Sequence, residues 1–360
     1  MAIDPFSAPL LPLPPQPGGV PWPTIDWPRG GVAAGVALDA LLDELFDASG
    51  PCATTFAAVI VHRGRLVAER YASTIEHFDR ADEPINATTP LLSWSMAKSM
   101  LHALVGMLVD EGRLALDEPL GVPLWSGDDD RRRVITLEHL LDMRDGLDFV
   151  EDYVDGERSD VINMLFGEGK ADVATFAADR PLAAPPGKRF NYSSGTTNIV
   201  SGAVARLVGA GDAYRRFLEA RLFAPIGMRS ATATFDDAGT WIASSYVYAT
   251  AQDFARFGYL YLRDGVWDGK RLLPQGWVDH ARRIRSYDEE NDNYYGAHWW
   301  AGGDRYGTFR CVGYDGQRIV VVPALDLIVV RLGKTPAEHY DDLRRWTERV
   351  IDAFAVSASG

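Results

Sequence analysis

Strand-type patterns in this chain lie near its two ends, and the long stretch between them carries only helical ones. In TTFAAVIVHRGRLVAERYA, residues 54–72, an apolar, β-branched run breaks at Arg63 and Gly64 and then resumes, which predicts two strands around a tight turn. The pattern returns in GAHWWAG, GTFRCVG, QRIVVVP and LDLIVVRL, and the last three, joined by short polar turns, are expected to pair antiparallel. Residues 136–223 instead hold LEHLLDM, SDVINMLF, ADVATFAAD, TTNIVSGAVARLV and DAYRRFLEARLF, all with helical spacing. Helices are also expected from Val36 to Phe46, stopped by Gly50 and Pro51, and from about Asp341 to Phe354. The order predicts an α+β fold: an antiparallel β-sheet flanked by helices, plus an inserted all-helical lobe. Nine of the 21 prolines fall within residues 1–30, so that arm is expected to be extended, its Trp22 and Trp27 packing onto the body. The expected boundaries are the arm at 1–30, an α/β lobe from 31–115 and 225–360, and the helical lobe at 116–224.

A formal net charge of −14 over 360 residues argues against a phosphate-binding surface, so no nucleic-acid partner is expected. Cys52 and Cys311 are too few for a disulfide framework or a four-cysteine zinc site, which favours a reducing, cytoplasmic setting. No export signal or membrane-spanning run is visible near Met1, although a trimmed signal would leave the periplasm open. The histidines, His62, His77, His102, His139, His280, His298 and His339, form no metal-binding spacing, and neither GxSxG, GxxxxGK[ST] nor GxGxxG occurs. No metal and no cofactor are expected. The run Asp128 to Arg133 reads as a solvated loop, and Thr250 with Asp253 has capping-box spacing before an apolar helix stripe.

Chemistry concentrates in LLSWSMAKSMLHALVGMLVDEG. Met96, Leu101, Leu104, Val105 and Leu108 define a helix that Gly112 can end, with Ser95 in its first turn and Lys98 one turn later on the same face. There the hydroxyl meets the positive end of the helix dipole, and a Lys among apolar neighbours loses solvation and with it part of its basicity. A capping Ser followed by a surface Lys would give the same spacing. In FNYSSG, Tyr192 falls in a loop before the next helix, where it could relay a proton or simply close a helical core. In CVGYDGQRIVVVP, Gly313 and Gly316 permit close backbone approach to a ligand, or mark a bulge. Trp299 and Trp300 should face opposite sides of a strand, one inward and one toward a cleft.

In this order, Ser95-Met96-Ala97-Lys98, Tyr192-Ser193-Ser194 and Cys311-Val312-Gly313 resemble the SxxK, YxN and KTG or HxG motifs of hydrolases with the serine β-lactamase and penicillin-binding-protein fold. SWSMAKS, HLLDMRDGLDF, YATAQDFARFGYLYLRDG, GQRIVVVP and LIVVRLG are similar to the class C-related branch that contains 6-aminohexanoate-dimer hydrolases and family VIII-type carboxylesterases. The resemblance implies an acylated Ser95, proton transfer by Lys98 and Tyr192, and an oxyanion hole from the backbone N–H groups of Ser95 and Tyr314. It places Ser194, Cys311 and Gly313 at substrate-binding positions. Two residues depart from the pattern. Ser194 replaces Asn, and Cys311 replaces the Lys or His that would meet a β-lactam carboxylate. The expected partner is therefore a small-molecule ester or linear amide; membrane binding is not expected, and a homodimer is left open. A β-lactamase or D-amino-acid peptidase is the rival within the fold, and a non-catalytic penicillin-binding sensor is the rival outside enzymes.

Overall fold

The computed structural model describes residues 4–32, 37–52, 54–72, 74–75 and 83–357. Eight strands form the main sheet: β1 (Thr54–His62), β2 (Arg65–Tyr71), β3 (Ser286–Asp288), β4 (Asn293–Tyr295), β5 (Trp300–Ala301), β6 (Phe309–Gly313), β7 (Gln317–Val322) and β8 (Leu327–Lys334). Their order is β3-β4-β5-β6-β7-β8-β1-β2, with every neighbour antiparallel. The early strand pair thus completes a sheet whose other six strands come from the chain's last quarter. Arg63 and Gly64, both at positive φ, make the turn between β1 and β2.

Among the described residues the α-helices are α1 (Leu38–Leu45), α2 (Met96–Asp110), α3 (Leu137–Leu141), α4 (Asp160–Phe166), α5 (Val173–Ala178), α6 (Ser194–Val208), α7 (Asp212–Leu218), α8 (Ala251–Leu262), α9 (Trp277–Arg282) and α10 (Tyr340–Ser357). Strand period 2 divides the sheet's side chains into two cores. Ala58, Ile60, Val320, Val322, Leu327 and Val329 pack under α1 and α10. Ala57, Val59, Val61, Ile319, Val321, Ile328 and Val330 face the larger core that contains α2 and α8. Because both faces are covered, β1 and β8 read as near-continuous apolar runs instead of alternating ones. Helix α2 packs against β6 on one side and α6 on another, and every residue from Met96 to Leu108 is buried.

Residues 136–223 hold α3 to α7, as their patterns predict, with no strand among them. The predicted first helix begins at Leu38; Val36 lies outside the described residues. The described part of the Pro-rich arm crosses the larger core's outer side. Its carbonyls, many with no neighbouring N–H because of proline, accept from side chains of the body: Arg256 Nε to Pro23 O (2.7 Å), Arg263 Nη1 to Pro14 O (3.0 Å) and Arg282 Nη2 to Leu11 O (2.6 Å). Trp27 is buried and Trp22 meets Tyr259 and Trp267.

Three local expectations need correction. The charge run is partly tied down: Arg132 pairs with Asp130 and also donates to Ala178 O and Arg180 O. Only half of the capping box forms, since Asp253 N donates to Thr250 Oγ1 while the Asp253 carboxylate turns to Ser230 and Arg256. Short strands such as Thr232–Ala233 and Val247–Ala249 are too brief to carry a period. Among the described residues, no helix is long and apolar enough to cross a membrane.

Candidate active site

The segment entering α2 is fastened before the helix starts. Leu91 and Leu92 pair with Ala249 and Tyr248, Ser93 N donates to Val247 O (2.8 Å), and Val247 N donates back to Ser93 Oγ (3.0 Å). Trp94 then adopts φ 44°, a left-handed conformation that is costly for a bulky residue and that turns the chain sharply into the helix. Ser95 follows at the helix N-terminus.

Lys98, 1% exposed, places Nζ 2.9 Å from Ser95 Oγ, 3.0 Å from Ser194 Oγ and 3.0 Å from the Ser244 carbonyl. That carbonyl is itself held, because Asn198 on α6 bonds both the N–H and the hydroxyl of Ser244. Burial lowers the Lys98 amine to about 8, against the opposing pull of the Glu151 carboxylate. The Tyr192 ring lies beneath Nζ at 4.9 Å, and its hydroxyl is close enough to Ser95 to interact with it. Burial and the nearby Glu151 charge push the Tyr192 phenol well up, so it is a neutral donor near pH 7 while the amine is the group poised to take a proton. The loop carrying Tyr192 is fixed by Asn191, whose N–H donates to Met143 O and whose side chain donates to Phe149 O.

From β6, Gly313 brings a second backbone segment to the nucleophile. A Cβ there would lie 2.4 Å from Ser93 O and 3.0 Å from Trp94 Cβ, so only glycine permits this approach. Beyond it nearly every peptide group has a partner. Gln317 Nε2 donates to Tyr314 O, Asp315 N donates to Tyr340 Oη, and Arg331 Nη1 donates to both Asp315 O and Gly316 O. The N–H groups of Ser95 and Tyr314 are different: neither has an acceptor among the described residues. Backbone donors left without an acceptor are the kind of group that can receive an oxyanion. Aromatic rings rim the spot, with Trp94 against Tyr314 (5.6 Å), Tyr153 against Tyr314 (4.9 Å) and Trp300 against Tyr192 (5.3 Å). Trp299, just before β5, is in the core, while Trp300 is partly exposed.

Two expected substrate contacts take other positions. Cys311 is 1% exposed and its thiol lies near Ser99 within the core, beneath the site. The Ser194 hydroxyl is fully buried, and its single proton goes to Glu151 Oε1 at 2.5 Å, leaving no donor for a substrate amide. Glu151 itself escaped sequence reading; it lies 43 residues before Ser194, and no local motif marks it.

A sequence model described as Beta-lactamase matches residues 43–353. The 6-aminohexanoate-dimer hydrolase of Paenarthrobacter ureafaciens is 30% identical over 334 residues, which are 86% of this chain and 80% of that protein. Among solved structures, a family VIII carboxylesterase superposes with a TM-score of 0.69 at 13% identity, covering 91% of this chain and 99% of its own. A penicillin-binding protein from Bacillus halodurans does so at 0.66 and 19% identity, covering 86% and 98%. The family match spans most of the chain and the ordered serine, lysine and tyrosine meet at one point, so the chain belongs to the Beta-lactamase family of serine hydrolases.

Proposed function

We propose that the protein hydrolyses carboxylic esters or linear amides through an acyl-enzyme on Ser95. The observation that carries this reading is the placement of Lys98 Nζ, buried, of lowered basicity and 2.9 Å from Ser95 Oγ. Unprotonated Lys98 takes the hydroxyl proton as Oγ attacks the acyl carbon, and the developing oxyanion is received by the N–H groups of Ser95 and Tyr314. The proton returns by way of Tyr192 to the leaving alcohol or amine, and water then releases the acid by the reverse route.

The preference for esters and linear amides rests on charge. Among the described residues, Lys98 is the only cation in the hydrogen-bonded cluster around Ser95, Cys311 is enclosed, and the one further charged group is the Glu151 carboxylate. A carboxylate held close to the scissile bond, as in a β-lactam, would find no charge-assisted partner there, a loss of about 1.5–3 kcal/mol, or roughly 10- to 150-fold in binding, whereas the carboxylate of a 6-aminohexanoate dimer lies a pentamethylene chain away from its amide. The relatedness to a 6-aminohexanoate-dimer hydrolase and the likeness to a carboxylesterase fold support the same substrate classes. The test is a panel of p-nitrophenyl butyrate, 6-aminohexanoate dimer and nitrocefin on wild type and Ser95→Ala. Turnover of the ester or the linear amide should exceed that of nitrocefin and vanish in the variant. Nitrocefin turned over as efficiently as the ester would contradict the charge reading.

A further inference from the structure

We propose that Glu151, acting through Ser194, is a positioning residue that turns the lone pair of Lys98 onto Ser95. This rests on the reading of Ser95 as nucleophile and deepens it. A neutral amine has two N–H donors and one lone pair, and Lys98 Nζ has three polar neighbours within 3.0 Å. The Ser244 carbonyl can only accept. Ser194 could in principle donate or accept, in which case the lone pair would have two hydroxyls to choose between. Glu151 removes that choice, because its Oε1 takes the Ser194 hydroxyl proton at 2.5 Å while its Oε2 takes the Ser194 N–H at 2.7 Å. Ser194 Oγ is left to accept from Nζ, both amine protons are engaged, and the lone pair has only the Ser95 hydroxyl to receive.

The same carboxylate supplies the countercharge once the proton has moved. The other titratable groups facing the amine are neutral near pH 7: burial raises Tyr192 from the loop before α6 and Cys311 from β6, and holds His298, in the turn before β5, at about 4. Proton transfer from Ser95 to Lys98 creates an ammonium in a buried site, and Glu151, one hydroxyl away, is the anion that offsets it. Tyr153 donates to the same Oε1 at 2.5 Å and fixes the carboxylate from the other side.

The experiment follows the rate of Ser95 labelling by a fluorophosphonate from pH 6 to pH 10 in wild type, Glu151→Gln and Ser194→Ala, with thermal unfolding as the control for folding. In Glu151→Gln the ascending limb should move to lower pH by about one unit, because loss of a nearby anion disfavours the ammonium, and the plateau should fall about tenfold or more. Ser194→Ala keeps the carboxylate but removes the bridge, so its plateau should fall by a similar factor. A role in packing alone would lower the unfolding temperature without moving the limb. The proposal is overturned if the limb of folded Glu151→Gln stays in place, or if the Ser194→Ala plateau lies within twofold of wild type; the latter decides the matter should Glu151→Gln not fold. Failure of wild-type Ser95 to label would instead overturn the nucleophile assignment.

Discussion

Replacing Lys98 by Met, a side chain of similar length without charge, should change how stability depends on pH, and by a calculable amount. In the folded protein the amine titrates at about 8 instead of 10.5 because burial strips water from the ammonium. The unfolded chain then binds more protons than the native one between those values, so native stability rises with pH across that window. The full penalty applies below about pH 8 and is gone above about pH 10.5. Integrating the linkage relation gives a penalty of about 3 kcal/mol at pH 7 and about 1 kcal/mol at pH 9.5. Wild type should therefore gain about 2 kcal/mol relative to Lys98→Met between those two conditions, because every other titrating group is shared. Urea unfolding of both proteins at each pH measures the difference directly. A differential under about 0.5 kcal/mol would mean that the amine titrates at its ordinary value, and Lys98 could not then be the base at neutral pH. In wild type the acylation rate should climb through the same pH region, about tenfold from pH 7 to pH 9.

Three further outcomes follow from particular contacts. Lys98→Arg should be nearly inactive in ester hydrolysis although the charge is kept, since guanidinium cannot release its proton in this range; more than about a tenth of wild-type activity would contradict a base role. Gly313→Val, whose Cβ would meet Ser93 O at 2.4 Å, should cut fluorophosphonate labelling at least tenfold by moving the Tyr314 N–H, and an unchanged rate would remove that N–H from the oxyanion hole. Cys311→Lys should lower stability on the order of 3 kcal/mol by burying a cation without raising nitrocefin turnover, measured by denaturant unfolding and steady-state rates. A stable Cys311→Lys that gained nitrocefin activity would show that position 311 reaches substrate.

What could be read beforehand is what local geometry determines. Ser95 and Lys98 are one helical turn apart, so their approach follows from the α2 pattern alone. Tyr192 was legible as a loop residue ahead of α6 because Pro and Gly punctuate the segment before it. Strands β5 to β8 and the helices between residues 136 and 223 were visible as patterns, whereas β3 and β4, three residues each, were not. Long-range partners left no trace. Glu151 reaches Ser194 across 43 residues, and the Ser244 carbonyl reaches Lys98 across 146. The burial of Cys311 was equally hidden, because a strand's period says that alternate residues share a face but not which face meets the cleft.

The nucleophile itself is open to the most direct test. Wild-type protein, Ser95→Ala and Ser194→Ala should each be treated with a fluorophosphonate and their tryptic peptides examined by mass spectrometry, alongside turnover of p-nitrophenyl butyrate. If Ser95 carries the acyl group, the adduct lies on the peptide containing it in wild type and in Ser194→Ala, and Ser95→Ala loses both the adduct and about 10⁴-fold or more of the turnover. An adduct on Ser193 or Ser194, with Ser95→Ala still turning over ester, would contradict the assignment of the nucleophile and with it the roles given to Lys98 and Tyr192.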